Sequence, residues 1–377
     1  MDLAPLIDLC GEEGAAAVGG LVVGLAFGAC AQRCRFCLRS AVIELAGGSF
    51  GGKVAVWTLA FSAAVASTQA AVLLGWLDPS EARQIAGRGS LSGAIVGGLL
   101  FGAGMILSRG CASRLLVLSA TGNLRALVSG LILTLVAQAS LRGVLSPARE
   151  AIAAAWMVEG GTSRSILALL HAGAPAGAIA GATWLTFGAW LALKNRVGVA
   201  ASASALGVGL AVTAGWVLTY ALSQQAFTPI AVKSVSFTGP SADTLMALIN
   251  SPMLPLGFDL ALVPGVFAGS MLAALVAREF MLEGFRDGAS MTRYISGAVL
   301  MGFGGMLAGG CAVGAGVTGG AIFALTAWVA LAAMWVGAAL TQTLADRPSG
   351  ASPRALRALA SGRRPTISAA LHRSRTS

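Results

Sequence analysis

Long apolar runs, each closed by a short polar or glycine-rich break, fill the chain from about residue 15 to residue 344. An α-helix needs about 20 apolar residues to span a bilayer. Segments such as Val54–Leu77 (VAVWTLAFSAAVASTQAAVLLGWL) and Ala205–Leu222 (ALGVGLAVTAGWVLTYAL) have that length. The pattern predicts nine crossings, at about 15–30, 54–77, 91–108, 124–144, 174–193, 205–225, 259–277, 294–309 and 320–344. Four other stretches, Cys37–Leu45, Ala112–Ala120, Ser241–Ile249 and Cys311–Thr318, are too short or too glycine-interrupted to span. They are expected to be re-entrant half-helices, because broken backbone at membrane depth survives only where protein or a wet cavity satisfies its N–H and C=O groups. The expected fold is therefore an all-α polytopic membrane protein.

Composition agrees with the pattern. Of 377 residues, 56% are hydrophobic and 11% charged, and the mean hydropathy is +0.81, where a soluble domain carries about a quarter charged residues. A soluble fold is excluded. Met1–Gly14 holds Asp2, Asp8, Glu12 and Glu13 without Lys or Arg, so it does not read as a cleavable signal peptide. The net charge of +10 has a local source in seven arginines after Ala345, and nucleic acid is not an expected partner. Such a basic tail marks a cytoplasmic end and can touch anionic lipid. An odd number of crossings then puts the N-terminus outside. Twelve Lys/Arg fall in inner connections, against six in outer ones: Arg83, Arg88, Arg142, Arg149, Arg164 and Lys233. The layout is an acidic outer segment (1–14), a first membrane repeat (15–144), a connector with the fifth crossing (145–204), a second repeat (205–344) and a basic tail (345–377).

The two repeats share a motif. GAGMILSRGCA (Gly102–Ala112) and GFGGMLAGGCA (Gly302–Ala312) align at a constant offset, which superposes Cys111 on Cys311 and Gly110 on Gly310. Crossing three runs inward and crossing eight outward, so the copies are inverted, as in many transporters that build a site at the repeat interface. At nearly the same offset RFCLRSA (Arg35–Ala41) lies over SFTGPSA (Ser236–Ala242), setting Cys37 on Thr238. Thiols are weak donors and soft contacts, which suits a sulfur-bearing solute. Arg33, Arg109 and Arg114 are candidate anion contacts at the mouth of the route, with Gln32 and Asn123 as neutral donors beside them. Arg35, Arg39 and Arg125 read as inner-surface anchors. The unpaired N–H groups at Gly110 and Gly310 are candidate half-helix sites.

Cys30, Cys34 and Cys37 have the C-x3-C-x2-C spacing of a cluster held by three thiolates, yet they end an apolar helix with no β/α pattern around them. A zinc site takes four ligands as a rule, and His171 and His372, the two histidines of the chain, are near no cysteine pair. No metal or cofactor is expected. A phosphate-binding G-x-x-x-x-G-K-[ST] loop is absent as well.

QRCRFCLRSA (Gln32–Ala41), FGAGMILSRGCASRLLVLSATGNLRAL (Phe101–Leu127) and GFGGMLAGGCAVGAGVTGG (Gly302–Gly320) together resemble the YeeE/YedE sulfur-transport family of bacterial inner-membrane proteins. The resemblance implies an hourglass-shaped inverted repeat that takes up thiosulfate past three cysteines, which by motif are Cys37, Cys111 and Cys311. It also implies a small cytosolic sulfurtransferase as partner, and some relatives handle selenium. Cys30, Cys34 and the arginines of SRGCASR are additions to the family pattern. Uptake of thiosulfate or a related sulfur anion is the expected function. The alternatives are transport of a selenium compound, a structural membrane subunit of a sulfur enzyme, and a membrane-embedded thiol enzyme that carries sulfane sulfur as a persulfide on Cys30, Cys34 or Cys37.

Overall fold

Each apolar run forms a helix in the computed structural model, which describes residues 3–250, 257–284 and 288–345. The elements are α1 (Ala4–Arg33), α2 (Leu38–Ala46), α3 (Gly52–Leu73), α4 (Leu91–Leu107), α5 (Ala112–Ala120), α6 (Leu124–Arg142), α7 (Ser146–Ala154), α8 (Ala174–Lys194), α9 (Val199–Gln225), α10 (Thr238–Asn250), α11 (Phe258–Val276), α12 (Gly288–Leu307) and α13 (Leu325–Ala345). A π-helical turn, Ala312–Thr318, follows α12. The strands β1 (Gly89–Ser90) and β2 (Met157–Val158) pair antiparallel. Among the described residues nine helices are long and apolar enough to cross a membrane, and the protein is a multi-pass membrane protein. Residues 1–342 form one compact unit. The arginines of the basic tail lie outside the described residues.

Helix bounds follow local chemistry. Asn123 and Ser90 cap α6 and α4 by accepting from the backbone N–H of Ala126 and Gly93. Hydroxyls inside the helices, such as Thr134, Ser140 and Ser204, donate to the carbonyl one turn back, which removes an unpaired polar group from an apolar setting. One expectation is corrected. The acidic stretch before residue 15 is helical from Ala4, with a kink at Gly11 (φ 72°). Its acids do not break the helix, because Glu12 accepts from the backbone N–H groups of Phe227 and Thr228 and the Leu3 N–H donates to Gln225.

Contacts between connections sort the turns onto two faces. On the N-terminal face, Arg83 N–H meets Val232 O, Leu91 N–H meets Trp156 O and Ile166 N–H meets Phe323 O. On the far face, Arg35 and Gln32 bind Glu279, while Asn123 and Arg125 bind Glu283. Alternate helices therefore run in opposite directions between the two faces.

Glycine sets the closest helix approach. A Cβ at Gly104 of α4 would lie 2.5 Å from the Gly297 carbonyl oxygen of α12, and one at Gly304 of α12 would lie 2.7 Å from the Gly97 carbonyl oxygen of α4. Likewise Gly102 abuts Met334 O of α13 and Gly302 abuts Leu133 O of α6, at 2.3 and 2.6 Å. Without small residues at these points the backbones could not meet. Gly104→Ala and Gly304→Ala should each cost about 1–3 kcal/mol by overpacking, read as a lower Tm in detergent. Gly130→Ala, where an added Cβ meets nothing within 4 Å, is the neutral control. Wild-type melting of both interface variants would contradict this packing.

Candidate functional site

Many helices of this chain, α3, α8 and α11 among them, end in the same doubled bond, and three of those ends lead into a cysteine. At the end of α1, Arg35 N–H bonds Gln32 O and Phe36 N–H bonds Ala31 O. At α4, Arg109 N–H bonds Ile106 O and Gly110 N–H bonds Met105 O. At α12, Gly309 N–H bonds Met306 O and Gly310 N–H bonds Gly305 O. This doubled bond satisfies carbonyls that a helix end leaves open, and it needs a left-handed residue just past the helix. That residue is Arg35 (φ 53°), Arg109 (φ 56°) or Gly309 (φ 80°). Two positions further on, the chain is extended and the next short helix begins. The residue at that junction is Cys37, Cys111 or Cys311, the N-cap of α2, α5 or the π-helical turn.

The three cysteines thus occupy one structural position, three times over. Each carbonyl accepts the first bond of its short helix, from Ala41, Leu115 and Ala315 N–H. All three are buried, at 8%, 1% and 1% exposure. The Gly314 N–H donates to Cys311 Sγ at 3.4 Å, and Cys111 Sγ lies 3.3 Å from Ser113 Oγ. Cys37 and Cys111 are immediate neighbours, and Arg114 lines the same cavity as Cys37. Thr238, the fourth candidate, begins α10 without such a turn before it. Its side chain is fully buried and its Oγ1 has no hydrogen-bond partner among the described residues.

Two cavities lie at these turns, on opposite faces. The far-face cavity, about 290 Å³, is lined by Cys34, Cys37, Ser40, Arg35, Lys53 and Arg114, among others. Nη1 of Arg114 is buried there without a hydrogen-bond partner among the described residues. The N-terminal-face cavity, about 230 Å³, is walled by Leu307, Ala308, Gly309 and Ala315 on either side of Cys311, and by Arg88, Arg149 and Arg164. Several phenylalanines are buried in the core. Phe27 packs on Phe36 and Phe237 with ring centroids 6.5 and 5.3 Å away, and Phe101 reaches Gly305. A third cavity, of about 150 Å³, is lined by apolar side chains such as Leu116, Leu127, Leu131 and Leu248 and by no cation.

The remaining sequence candidates divide. Arg114 lines the far-face cavity; Arg33 and Arg109 are exposed, and Arg109 lines a separate cavity of about 150 Å³ with Asn123 and Arg125. Gln32 donates to Glu279 at 3.0 Å but keeps a buried, unpartnered Oε1. Asn123 is occupied, with Oδ1 capping α6 and Nδ2 on Glu283 at 2.7 Å. Gly110 and Gly310, expected to offer unpaired N–H groups, instead close the turns, their N–H groups taken by Met105 O and Gly305 O, with Gly310 at φ 157°. Of the two extra cysteines, Cys34 faces the far-face cavity, whereas Cys30 packs against Gly207 of α9. Among the described residues no group of three His, Cys, Asp or Glu side chains could hold a metal. Sequence reasoning did not single out the arginines beside Cys311. It counted them as outer-surface charges, and nothing in the local sequence separates Arg164, which is buried, from its exposed neighbours.

Comparison with known proteins gives a match over residues 33–340 to the family described as sulphur transport. A thiosulfate transporter, TsuA, of Spirochaeta thermophila is 28% identical over 82% of this chain and 93% of its own length. TsuA of Escherichia coli, also a thiosulfate transporter, is 32% identical over 34% of this chain and 35% of its own length.

Proposed function

This chain belongs to the sulphur transport family, and from that membership we propose that it carries thiosulfate or a closely related sulfur anion across the membrane between its two cavities. The observation that carries the reading is the threefold turn: three buried thiols, each at the N-cap of a short helix, on a chain with a cation-lined cavity at either end. A helix N-terminus presents unpaired N–H groups and a partial positive charge to an anion. A thiol adds a weak donor and a polarisable surface for the terminal sulfur. Weak contacts in succession let a solute bind and leave.

The reciprocal glycine contacts of α4 and α12, at residues two hundred positions apart in the chain, support an inverted repeat with the crossing near its axis. Orientation has its own support. Arg35, Arg109, Arg196 and Arg278 are all left-handed and all lie in far-face connections. A non-glycine residue there costs roughly 1 kcal/mol, offset in part by a cation at a helix C-terminus. The basic far face is cytoplasmic in this reading, and the anion enters from the N-terminal face, passing Cys311 before Cys111 and Cys37. A small sulfurtransferase would then receive it at the far-face cavity.

Two predictions follow from this route. Removing one desolvated polar contact costs about 1–3 kcal/mol, so Cys111→Ala should lower thiosulfate uptake about tenfold or more at normal protein levels. Growth of dependent cells on thiosulfate as sole sulfur source reads this out, and undiminished growth would remove that thiol from the mechanism. For orientation, in a Cys10→Ser background that removes the exposed native thiol, a membrane-impermeant maleimide applied to whole cells stripped of outer layers should label Met157→Cys and spare Asn195→Cys. The reverse pattern would turn the protein over.

A further inference from the structure

Arg164 is a charged side chain placed where a charge is costly. It is 7% exposed, and it reaches the N-terminal-face cavity from a short helical turn, Thr162–Arg164. Its Nη1 donates to the Gly87 carbonyl and its Nη2 to Thr326 Oγ1, both at 2.6 Å. Its Nε is buried with no hydrogen-bond partner among the described residues. Burial pulls the pKa of its guanidinium down, and among the described residues no carboxylate forms an ion pair with it. A buried charge is normally paired, since the cost of desolvating it alone is severe.

The surroundings hold this guanidinium in place. Gly89 lies flat against it, for a Cβ there would come 2.6 Å from Nε and Cζ. Gly89 is held by the β1–β2 pairing, opposite Val158, so the two strands act as a frame for the arginine. Arg88 and Arg149 complete the basic lining. Their own carboxylate partners, Glu159 and Glu150, are exposed to 74% and 66%, and neither glutamate lines the cavity.

We propose that this cavity is an anion-selecting site, in which Arg164 takes two oxygens of a small oxyanion dianion before it reaches the Cys311 turn. The site deepens the transport reading given above and rests on it for the identity of the anion. Arginine suits the task because its planar fork offers paired N–H groups at fixed spacing to an oxyanion. Here the fork is fixed at two points by Gly87 and Thr326, which leaves Nε–H and the remaining terminal N–H groups for a ligand. The volume, about 230 Å³, takes such an anion with some of its water, each water occupying about 30 Å³. Arg88 and Arg149 raise the local anion concentration from the rim. Sulfate shares the oxyanion face of thiosulfate and should compete here, so discrimination between them falls to the thiols beyond.

The test uses the full-length protein in liposomes with radiolabelled thiosulfate. Arg164→Gln should raise the half-saturation concentration about tenfold or more, with the maximal rate changed less than about threefold. Arg164→Lys, which keeps the charge and loses the fork, should fall between. A half-saturation concentration equal to wild type in both variants overturns the proposal. A second readout needs no transport: Met157→Cys, on the cavity wall, in a Cys10→Ser background is treated with an anionic or a cationic methanethiosulfonate. The ratio of anionic to cationic labelling should drop about threefold or more in Arg164→Gln and persist in Arg164→Lys; an unchanged ratio in Arg164→Gln overturns the site. If wild-type liposomes take up no thiosulfate, the transport reading fails, and the labelling ratio still decides the anion site.

Discussion

Backbone groups that lose their helical partners inside a membrane must find others within the protein. The three cysteine turns meet this demand with one device, a doubled carbonyl bond at the end of the long helix followed at once by a short helix that takes up the next carbonyl. In the proposed route the break in each helix makes room for a polar site at depth, and the device makes the break tolerable. It also determines which residue faces that site, because the N-cap of the short helix is the first position where the chain is extended. In each turn that position is a cysteine.

The glycine contacts follow from the same demand. Turns at the ends of α4 and α12 belong to one site only if those helices cross closely, and the Gly97, Gly104, Gly297 and Gly304 backbones meet at distances that exclude a side chain. Phe27 packs on Phe36 and Phe237, and Phe101 lies against Gly304 and Gly305 at the crossing. In the proposed route a polar solute moving between the cavities has the turns as its polar contacts. Cations at both ends then fit an anion better than a neutral solute.

Much of this was legible in the sequence. Hydropathy located the nine crossings, and glycine interruptions located the four short segments within a few residues of α2, α5, α10 and the π-helical turn. The start of α1 was missed because acids at a membrane boundary read as a polar tail, while the partners that make them helical, Phe227 and Thr228, are remote in the chain. Asn123 read as a free amide; its place just before the Leu124 run was the signal of an N-cap. Burial of Arg164 had no signal in its neighbourhood, since the contacts that bury it come from Gly87, Gly89 and Thr326.

The central claim is that a sulfur anion moves along the cysteine turns between the two arginine-bearing cavities. The most direct measurement is anomalous scattering from the protein crystallised with selenosulfate, in which selenium replaces the terminal sulfur of thiosulfate. The account predicts selenium density beside the Gly309–Cys311, Arg109–Cys111 or Arg35–Cys37 turn, or in the two arginine-bearing cavities. Selenium bound elsewhere, as in the apolar cavity lined by Leu116, Leu127, Leu131 and Leu248, with none at the turns or those two cavities, would contradict it.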